Sequence, residues 1–306
     1  MKIVRSVAKM QEISRQARSG GLKVGFVPTM GYLHDGHVSL LRRARESADV
    51  VVVSIFVNPT QFNSSEDFEN YPRDDKTDVA LLEEEGVDVL FMPPVEDVYP
   101  AGAATRINVS GLSNELCGRH RPGHFEGVAT VVAALLNMVL PDFAVFGRKD
   151  FQQLQIVRRM VRDLHFPVEI VAADTVRESD GLAMSSRNAR LSAAERSKAP
   201  VIHEALSAAG ALFARGERRC EVLAAEASRV LDACDALRVE YLEVVDPDAI
   251  APAPGADDRS VMAVAAWLGP VRLIDNVVLA EASNQTEKSS TGAGPHAAHA
   301  GGVAAN

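Results

Sequence analysis

Short apolar runs alternate with longer segments of helical periodicity through the first two thirds of the chain. The apolar, β-branched runs predict strands at 22–27, 50–57, 87–92, 107–109, 143–146 and 168–172. Apolar residues spaced three or four apart predict helices at 37–48, 74–85, 125–139 and 150–163. The valines at 50–53 indicate a strand buried on both faces. We therefore expect an α/β fold built on a Rossmann-like, doubly wound parallel sheet.

The pattern changes after residue 172. Segment 192–234 has helical periodicity, with a break between two helices expected at Gly210 and Gly216. Strands are predicted at 238–245, 260–268 and 271–279. The expected division is a nucleotide-binding domain at 1–176, a smaller α+β lid domain with an antiparallel sheet at 177–282, and a disordered tail at 283–306.

Composition narrows the functional classes. The 306 residues include 47% hydrophobic and 24% charged residues, as in ordinary globular proteins. The formal charge of −9 disfavours non-specific binding to nucleic acid or to anionic membranes. No apolar run is long enough to span a membrane, and the first residues lack a secretory pattern. The 3 cysteines (Cys117, Cys220 and Cys234) fit neither a disulfide framework nor a zinc site, so we expect a soluble cytoplasmic protein.

A pair of histidines follows the first strong strand. His34 and His37 stand at or just before the predicted start of a helix, where free N–H groups and the helix dipole favour phosphate. Gly36 allows a ligand to approach the backbone closely. The imidazoles can donate to phosphate oxygens or give a proton to a departing one. Surface or packing histidines remain the alternatives, whereas zinc binding lacks further ligands nearby.

Three other segments carry candidate chemistry. Two hydroxyls and an arginine in 180–188 can bind a polyphosphate, but taken alone the segment favours a solvated loop with a helix cap. Lys149 offers a charge to phosphate. Asp150 either accepts from a ribose hydroxyl or caps the helix, and capping is the favoured role. The Gln61 amide suits a carboxylate or hydroxyl, or satisfies its own loop. The chain has no P-loop, dinucleotide fingerprint or nucleophile elbow. Its candidate phosphate-binding segments instead lie near the two ends of the predicted α/β domain.

These motifs together carry a family resemblance. The H-x-G-H motif with a downstream Met-Ser-Ser-Arg resembles the nucleotidyltransferase superfamily. Within it, the chain is similar to the pantothenate synthetase (pantoate–β-alanine ligase) family, in order from about residue 22 to 281. The matching blocks are PTMGYLHDGH, VNPTQF, YPR, RPGHFEGV, FGRKDFQQL and RESDGLAMSSRN. Asp35 stands where Glu is more usual, Arg148 occupies a variable position, and the tail is private to this chain.

The resemblance implies an ATP-dependent amide synthesis in two steps. Pantoate would be activated as pantoyl adenylate with release of pyrophosphate, and β-alanine would then displace AMP. ATP would be a substrate that brings Mg²⁺ with it. The resemblance also implies a homodimer formed through the first domain.

It also implies residue roles. His34 and His37 would be catalytic, with His37 the proton donor to the leaving group once a bound polyphosphate favours its protonation. Gln61 would bind pantoate and β-alanine, and Gln153 would bind pantoate. The metal ligands stay open: Asp74, Asp75 and Asp78 are near in sequence, although helix-start charges are the favoured interpretation. The implied ATP-binding residues are Met30, Gly31, Tyr32, Leu33, His34, Asp35, Gly36, His37, Gly147, Arg148, Lys149, Asp150, Val176, Met184, Ser185, Ser186 and Arg187.

Two other functions compete with this interpretation. One is a nucleotidyltransferase of the same superfamily with another acceptor, although the net charge disfavours work on tRNA. The other is a nucleotide-binding regulator without catalysis. Retention of both histidines, Lys149 and both glutamines argues against a regulator.

Overall fold

The computed structural model describes residues 1–282, with residue 67 described by its backbone alone; the tail predicted at 283–306 lies outside this range. The strands are β1 (Lys2–Val4), β2 (Val24–Thr29), β3 (Val50–Ile55), β4 (Val89–Phe91), β5 (Phe143–Gly147), β6 (Glu169–Ala173), β7 (Leu237–Val245), β8 (Val261–Leu268) and β9 (Val271–Val278). The helices are α1 (Val7–Ser19), α2 (Asp35–Arg45), α3 (Ser65–Glu69), α4 (Asp75–Glu84), α5 (Val95–Val98), α6 (Cys117–His120), α7 (His124–Val139), α8 (Phe151–Asp163), α9 (Ala193–Arg196), α10 (Val201–Ala214) and α11 (Cys220–Leu231).

Within the described residues, β1 to β6 form one parallel sheet in the order β1-β4-β3-β2-β5-β6. From β2 the chain proceeds through β3 to β4 towards one edge, and from β5 to β6 towards the other. The sheet is therefore doubly wound, as the sequence predicted. The direction reverses between β2 and β5, and ligands of such sheets bind at the carboxyl ends of the strands at this point.

Buried side chains cover both faces of the parallel sheet. On one face Phe26 and Val52 belong to a cluster with residues of α1, α7 and α8. On the other, Val53 packs in a cluster with Leu41 of α2 and Leu82 of α4. Neighbouring valines of β3 thus point into different cores, which explains why this strand carries no polar alternation.

The strands β7, β8 and β9 form an antiparallel sheet covered by α10 and α11. Its central strand β8 is apolar on both sides. Ala263 and Ala265 belong to the core cluster shared with α7 and α8, whereas Val264 and Ala266 belong to the cluster formed with α10 and α11. One face of this sheet therefore packs against the first half of the chain, which brings β9 next to the end of β5.

Several elements of the first half differ from the predictions. The strand predicted at 107–109 is wrong. Ile107 donates its backbone N–H to Thr130 Oγ1 of α7 over 2.9 Å, and Val109 is buried in the same cluster as α7, so the apolar residues pack on a helix instead of pairing in a sheet. The elements β1 and α1 were not predicted.

The second half agrees with the predicted antiparallel sheet, but Gly210 does not break a helix. It lies inside α10 and packs against Ala282, and the chain turns at Gly216, whose φ is +97°. The β6 strand ends at Ala173, so the domain boundary predicted at 176/177 lies in the segment that follows. Among residues 1–282, every helix is too short or too polar to cross a membrane.

Candidate active site

A cavity of about 580 Å³ lies at the carboxyl ends of β2 and β5. This volume is within the range of small-molecule sites. Most of the predicted site residues line it: Met30, His34, Gly36, His37, Gln61, Gly147, Lys149, Asp150, Gln153, Val176, Met184, Ser185, Ser186 and Arg187. The remaining predicted residues are not among the lining residues; these are Gly31, Tyr32, Leu33, Asp35 and Arg148.

The histidine pair forms the N-terminal cap of α2. His34 is the N-cap residue, and its Nδ1 accepts the backbone N–H of Gly36 over 3.1 Å. His37 Nδ1 accepts the backbone N–H of His34 over 3.3 Å. A Cβ atom on Gly36 would lie 2.8 Å from His34 Cε1, so only glycine leaves this ring in place. The predicted position of both histidines at the helix start is confirmed.

These bonds fix the protonation of the pair. A backbone N–H only donates, so both Nδ1 atoms accept and the remaining proton of each neutral ring is on Nε2. Burial, with a contribution from the charge of Lys149, lowers the pKa of His34. Burial and the neighbouring His34 lower the pKa of His37 to about 3. The lowered pKa values agree with the expectation that imidazolium is disfavoured at this helix start, but burial is the main cause. At neutral pH the free protein therefore carries neutral N–H donors at both histidines.

Asp78 holds the segment that leads to the histidines. Its side chain is only 2% exposed, and its carboxylate accepts the backbone N–H groups of Tyr32 over 2.8 Å and Leu33 over 2.7 Å. Burial raises the pKa of Asp78, although both N–H bonds oppose this. Asp74 caps α4 through Thr77. Of the three carboxylates considered for Mg²⁺, Asp74 and Asp78 thus have structural roles and Asp75 is exposed. No His, Cys, Asp or Glu cluster of metal-site type occurs in the described part of the chain.

The second junction, after β5, places Lys149 in the same cavity. The charge of Lys149 is close enough to lower the pKa of both histidines, after the larger effect of burial. Lys149 makes no ion pair with any described residue, so its charge is available to a ligand. Arg148 instead pairs with Glu281 over 3.0 Å and with Asp174 over 3.4 Å.

Helix capping, the favoured interpretation of Asp150, is wrong. Asp150 is the N-cap residue of α8, yet its side chain makes no capping hydrogen bond. Its ψ of 58° departs from the extended backbone of a usual N-cap, because a 3₁₀ turn, Arg148–Asp150, runs directly into the helix. Asp150 is instead one of the residues that line the cavity.

The loop that contains Met184 and Ser185 closes over the histidine pair. Met184 donates its N–H to the Val176 carbonyl over 2.9 Å, and its Cβ would lie 3.6 Å from a Cβ on Gly36. The Ser185 hydroxyl accepts the N–H of Arg187 over 3.3 Å. Ser185 therefore caps the following turn and also lines the cavity, so both interpretations of this segment fit its position.

The Gln61 amide is held in a defined orientation. Asn58 Nδ2 donates to Gln61 Oε1 over 3.0 Å, and Gln61 Nε2 lies 3.1 Å from the sulfur of Met30. The Gln61 side chain is buried and still lines the cavity. Both interpretations of this residue, loop support and ligand contact, therefore fit its position.

His124 supports the same turn and was not predicted as a site residue. Its Nδ1 donates to the Gln61 carbonyl over 2.7 Å, and its Nε2 accepts from Arg121 over 3.1 Å. Burial and the Arg121 charge lower the pKa of His124 to about 3. The signal that was available is the block RPGHFEGV, which carries both residues.

The adjacent glutamines of α8 have different environments. Gln152 is buried, accepts the Cys117 N–H over 3.0 Å, and donates to the carbonyls of Leu112 and Glu115. Gln153 lines the cavity. The prediction that singled out Gln153 thus selects the glutamine that faces the site.

The C-terminal sheet contributes lining residues that no motif marked. Asp275 on β9 binds Arg177 through both carboxylate oxygens, at 2.6 and 3.1 Å, and Arg177 also donates to the Gly181 carbonyl. Asn276, the next residue, donates to the carbonyls of Arg148 and Lys149. Both side chains depend on contacts with segments about a hundred residues away, which a linear pattern does not reveal.

Comparison with known proteins gives one family. The family model described as pantoate-beta-alanine ligase matches residues 2–278. The pantothenate synthetase of Thermotoga petrophila is 50% identical over 279 residues, which are 91% of this chain and 100% of that protein. That of Geobacter sulfurreducens is 49% identical over 281 residues, 92% of this chain and 99% of that protein.

Solved structures agree with the sequence relatives. A crystal structure of pantothenate synthetase from Thermus thermophilus superposes with a TM-score of 0.85 at 47% identity, and covers 91% of this chain and 99% of its own. Pantoate-beta-alanine ligase from Francisella tularensis, complexed with beta-gamma ATP and beta-alanine, has a TM-score of 0.74 at 34% identity, with 91% and 98% covered.

Proposed function

The chain belongs to the pantoate–β-alanine ligase family, and from this premise we propose that it condenses pantoate with β-alanine in an ATP-dependent reaction. It is a ligase that forms a carbon–nitrogen bond. The observation that carries the assignment is the meeting of neutral His34 and His37, the charge of Lys149 and two cavity-facing glutamines at the switch point of the sheet.

The first step activates the acid. A pantoate carboxylate oxygen attacks the α-phosphorus of ATP, the bond from that phosphorus to the bridging oxygen breaks, and pyrophosphate leaves. The product is pantoyl adenylate. In the second step the neutral β-alanine amine attacks the acyl carbon, the carbon–oxygen bond to AMP breaks, and the proton lost by the nitrogen passes to water.

The phosphate end of the cavity suits the first step. His34 and His37 would donate their Nε2–H groups to phosphate oxygens, and Lys149 would neutralise the charge that develops on the leaving pyrophosphate. Because the free His37 is neutral, it transfers a proton only if bound polyphosphate raises its pKa. The loop with Ser185 and Arg187 would cover the β- and γ-phosphates from the opposite side.

Gly147 and Asp150 would contact the nucleoside part of ATP, and the Val176 backbone would contact adenine. Gln61 and Gln153 would bind the carboxylate and hydroxyls of pantoate, and Gln61 would also adjoin β-alanine. The orientation that Asn58 imposes on Gln61 supports this, because a fixed amide discriminates against acids that leave it unpaired. These groups position the reactants without a covalent enzyme intermediate.

Mg²⁺ would arrive bound to the phosphates of ATP. Asp74 and Asp78 are engaged with backbone N–H groups and Asp75 is exposed, which supports delivery of the metal by ATP over a site built from these residues.

A homodimer is the assembly that the family resemblance implies, and the cytoplasm is the location that the composition predicts. The three cysteines are free thiols, which suits a reducing compartment. Sedimentation equilibrium of the purified chain tests the assembly: a dimer mass is expected, and a monomer mass at micromolar concentration would contradict it.

Pantoate-dependent exchange of labelled pyrophosphate into ATP, without an amine, tests the function. Exchange is expected with pantoate and absent with a panel of amino acids, and β-alanine should then release AMP. If ATP binds but pantoate supports no exchange, the ligase assignment is wrong.

A further inference from the structure

The segment that carries Lys149 is held from outside its own domain. Within the described residues, Lys149 lies in the short 3₁₀ turn between β5 and α8, and its neighbour Asp150 supplies no capping bond. The turn therefore lacks the side-chain cap that ties down the histidine pair at the start of α2.

Asn276 supplies the missing contact. Its Nδ2 lies 3.1 Å from the carbonyl oxygen of Arg148 and 2.9 Å from that of Lys149. A side-chain amide nitrogen has two hydrogens, so both bonds are satisfied together, and carbonyl oxygens only accept, so the orientation of the amide is defined.

The neighbouring residue fixes the strand that presents Asn276. Asp275 is 4% exposed, and both its oxygens bind Arg177, while Oδ1 also accepts the Asn276 N–H over 2.8 Å. Arg177 in turn donates to the Gly181 carbonyl over 3.1 Å, in the loop that leads to Ser185. Strand β9 therefore contacts both segments that face the phosphate end of the cavity.

We propose that Asn276 is a positioning residue for Lys149. Its two hydrogen bonds set the backbone of the 3₁₀ turn, and thereby the direction in which the Lys149 side chain enters the cavity. The proposal rests on the proposed function only in that Lys149 is taken to reach the phosphates of ATP. It makes docking of the C-terminal sheet a requirement for a correctly placed charge.

Equilibrium binding of ATP and of adenosine to the full-length chain, measured by isothermal titration calorimetry, tests this role. Asn276→Ala is expected to weaken ATP binding about tenfold, as two modest hydrogen bonds allow, and to change adenosine binding by less than about twofold. Asn276→Asp keeps the size of the side chain but offers a carboxylate that only accepts, so a similar loss is expected. Both variants should unfold cooperatively.

A double-substitution cycle separates positioning from general support. In a Lys149→Met background, Asn276→Ala should no longer weaken ATP binding, because its route of action has been removed. An equal loss in both backgrounds, an equal loss for ATP and adenosine, or no loss at all would overturn the proposal.

Glu243→Gln is the matched control. It removes an ion pair of 2.9 Å with Arg119 that joins the same two parts of the chain, and neither residue lines the cavity. It is expected to change ATP affinity by less than about twofold, and a loss as large as that of Asn276→Ala would overturn the proposal. Binding is measured without pantoate, so failure of pantoate-dependent exchange in the wild type contradicts the ligase assignment and leaves this result standing.

Discussion

The two strand-to-helix junctions that meet at the switch point are stabilised in different ways. The first, after β2, is held within its own half of the chain: the histidines cap α2, and Asp78 accepts two backbone N–H groups just before them. The second, after β5, lacks a side-chain cap, and Asn276 from the C-terminal sheet binds its carbonyls.

The difference separates the charges at the site. The first junction offers neutral donors, because burial disfavours imidazolium, and the second offers the cation. A preorganised neutral donor and a full charge stabilise a leaving pyrophosphate by different amounts. Changes to the two junctions should therefore differ in size and in their dependence on pH.

Removing the cation should have the largest effect. Lys149→Met is expected to lower kcat/KM for pantoate-dependent exchange about 10³-fold, since the neutral donors of the first junction do not replace a full charge at the leaving pyrophosphate. Exchange at subsaturating ATP measures it, with the unfolding midpoint in urea as the check on folding. Activity within about tenfold of the wild type would show that Lys149 does not contact the leaving pyrophosphate.

The histidine junction should respond less, and in a way that reveals its chemistry. His37→Ala is expected to lower kcat/KM for exchange about 10²-fold, through loss of one preorganised donor. His37→Gln keeps a neutral N–H near the position of Nε2 and should recover much of the loss. If Gln recovers nothing while the protein remains folded, His37 acts as a proton donor instead of a neutral hydrogen-bond donor.

Stability should become sensitive to acid on the histidine side. The pKa of His124 is about 3 in the folded chain, against an ordinary value of 6.5, because of burial and Arg121. Below about pH 6.5 His124 binds a proton in the unfolded chain but stays neutral in the folded chain. The free energy of unfolding therefore falls as pH falls.

Urea unfolding at about pH 7 and about pH 4.5 measures this contribution. His124→Asn keeps a donor for the Gln61 carbonyl without a titratable ring, and should lose about 2 kcal/mol less between these conditions than the wild type. Parallel pH profiles of the two proteins would contradict the assignment.

The support of the first junction should matter moderately. Asp78→Asn keeps one oxygen that accepts a backbone N–H but places an NH₂ donor against the other backbone N–H. We therefore expect about tenfold lower kcat/KM and a loss of about 1–2 kcal/mol in the free energy of unfolding. Urea denaturation and exchange kinetics measure both. The variant Asp75→Asn, at an exposed position of α4, serves as the control, and an equal effect of both variants would argue against a specific role for Asp78.

The sequence predicted the first junction better than the second for physical reasons. A short apolar strand, predicted at 22–27, and a helix start with His34, Gly36 and His37 are local patterns, and the structure places β2 and α2 there. The role of Asn276 depends on contact with a carbonyl 127 positions away, which local spacing does not encode. The helix α1 was missed because its buried stripe, at Met10, Ser14 and Ala17, contains one large apolar residue.

The smallest effect is expected at Arg148, the cation next to Lys149. The family resemblance implies that both residues bind ATP, but Arg148 pairs with Glu281 and Asp174 at the surface, and its side chain is 42% exposed. Exposed ion pairs contribute little, so Arg148→Met should change the free energy of unfolding by less than about 1 kcal/mol and kcat/KM by less than about threefold. Exchange assays beside Lys149→Met give a matched pair of substitutions at adjacent positions. A large loss in Arg148→Met would mean that ATP draws this side chain away from its acidic partners, and that the charge of the second junction is shared between both residues.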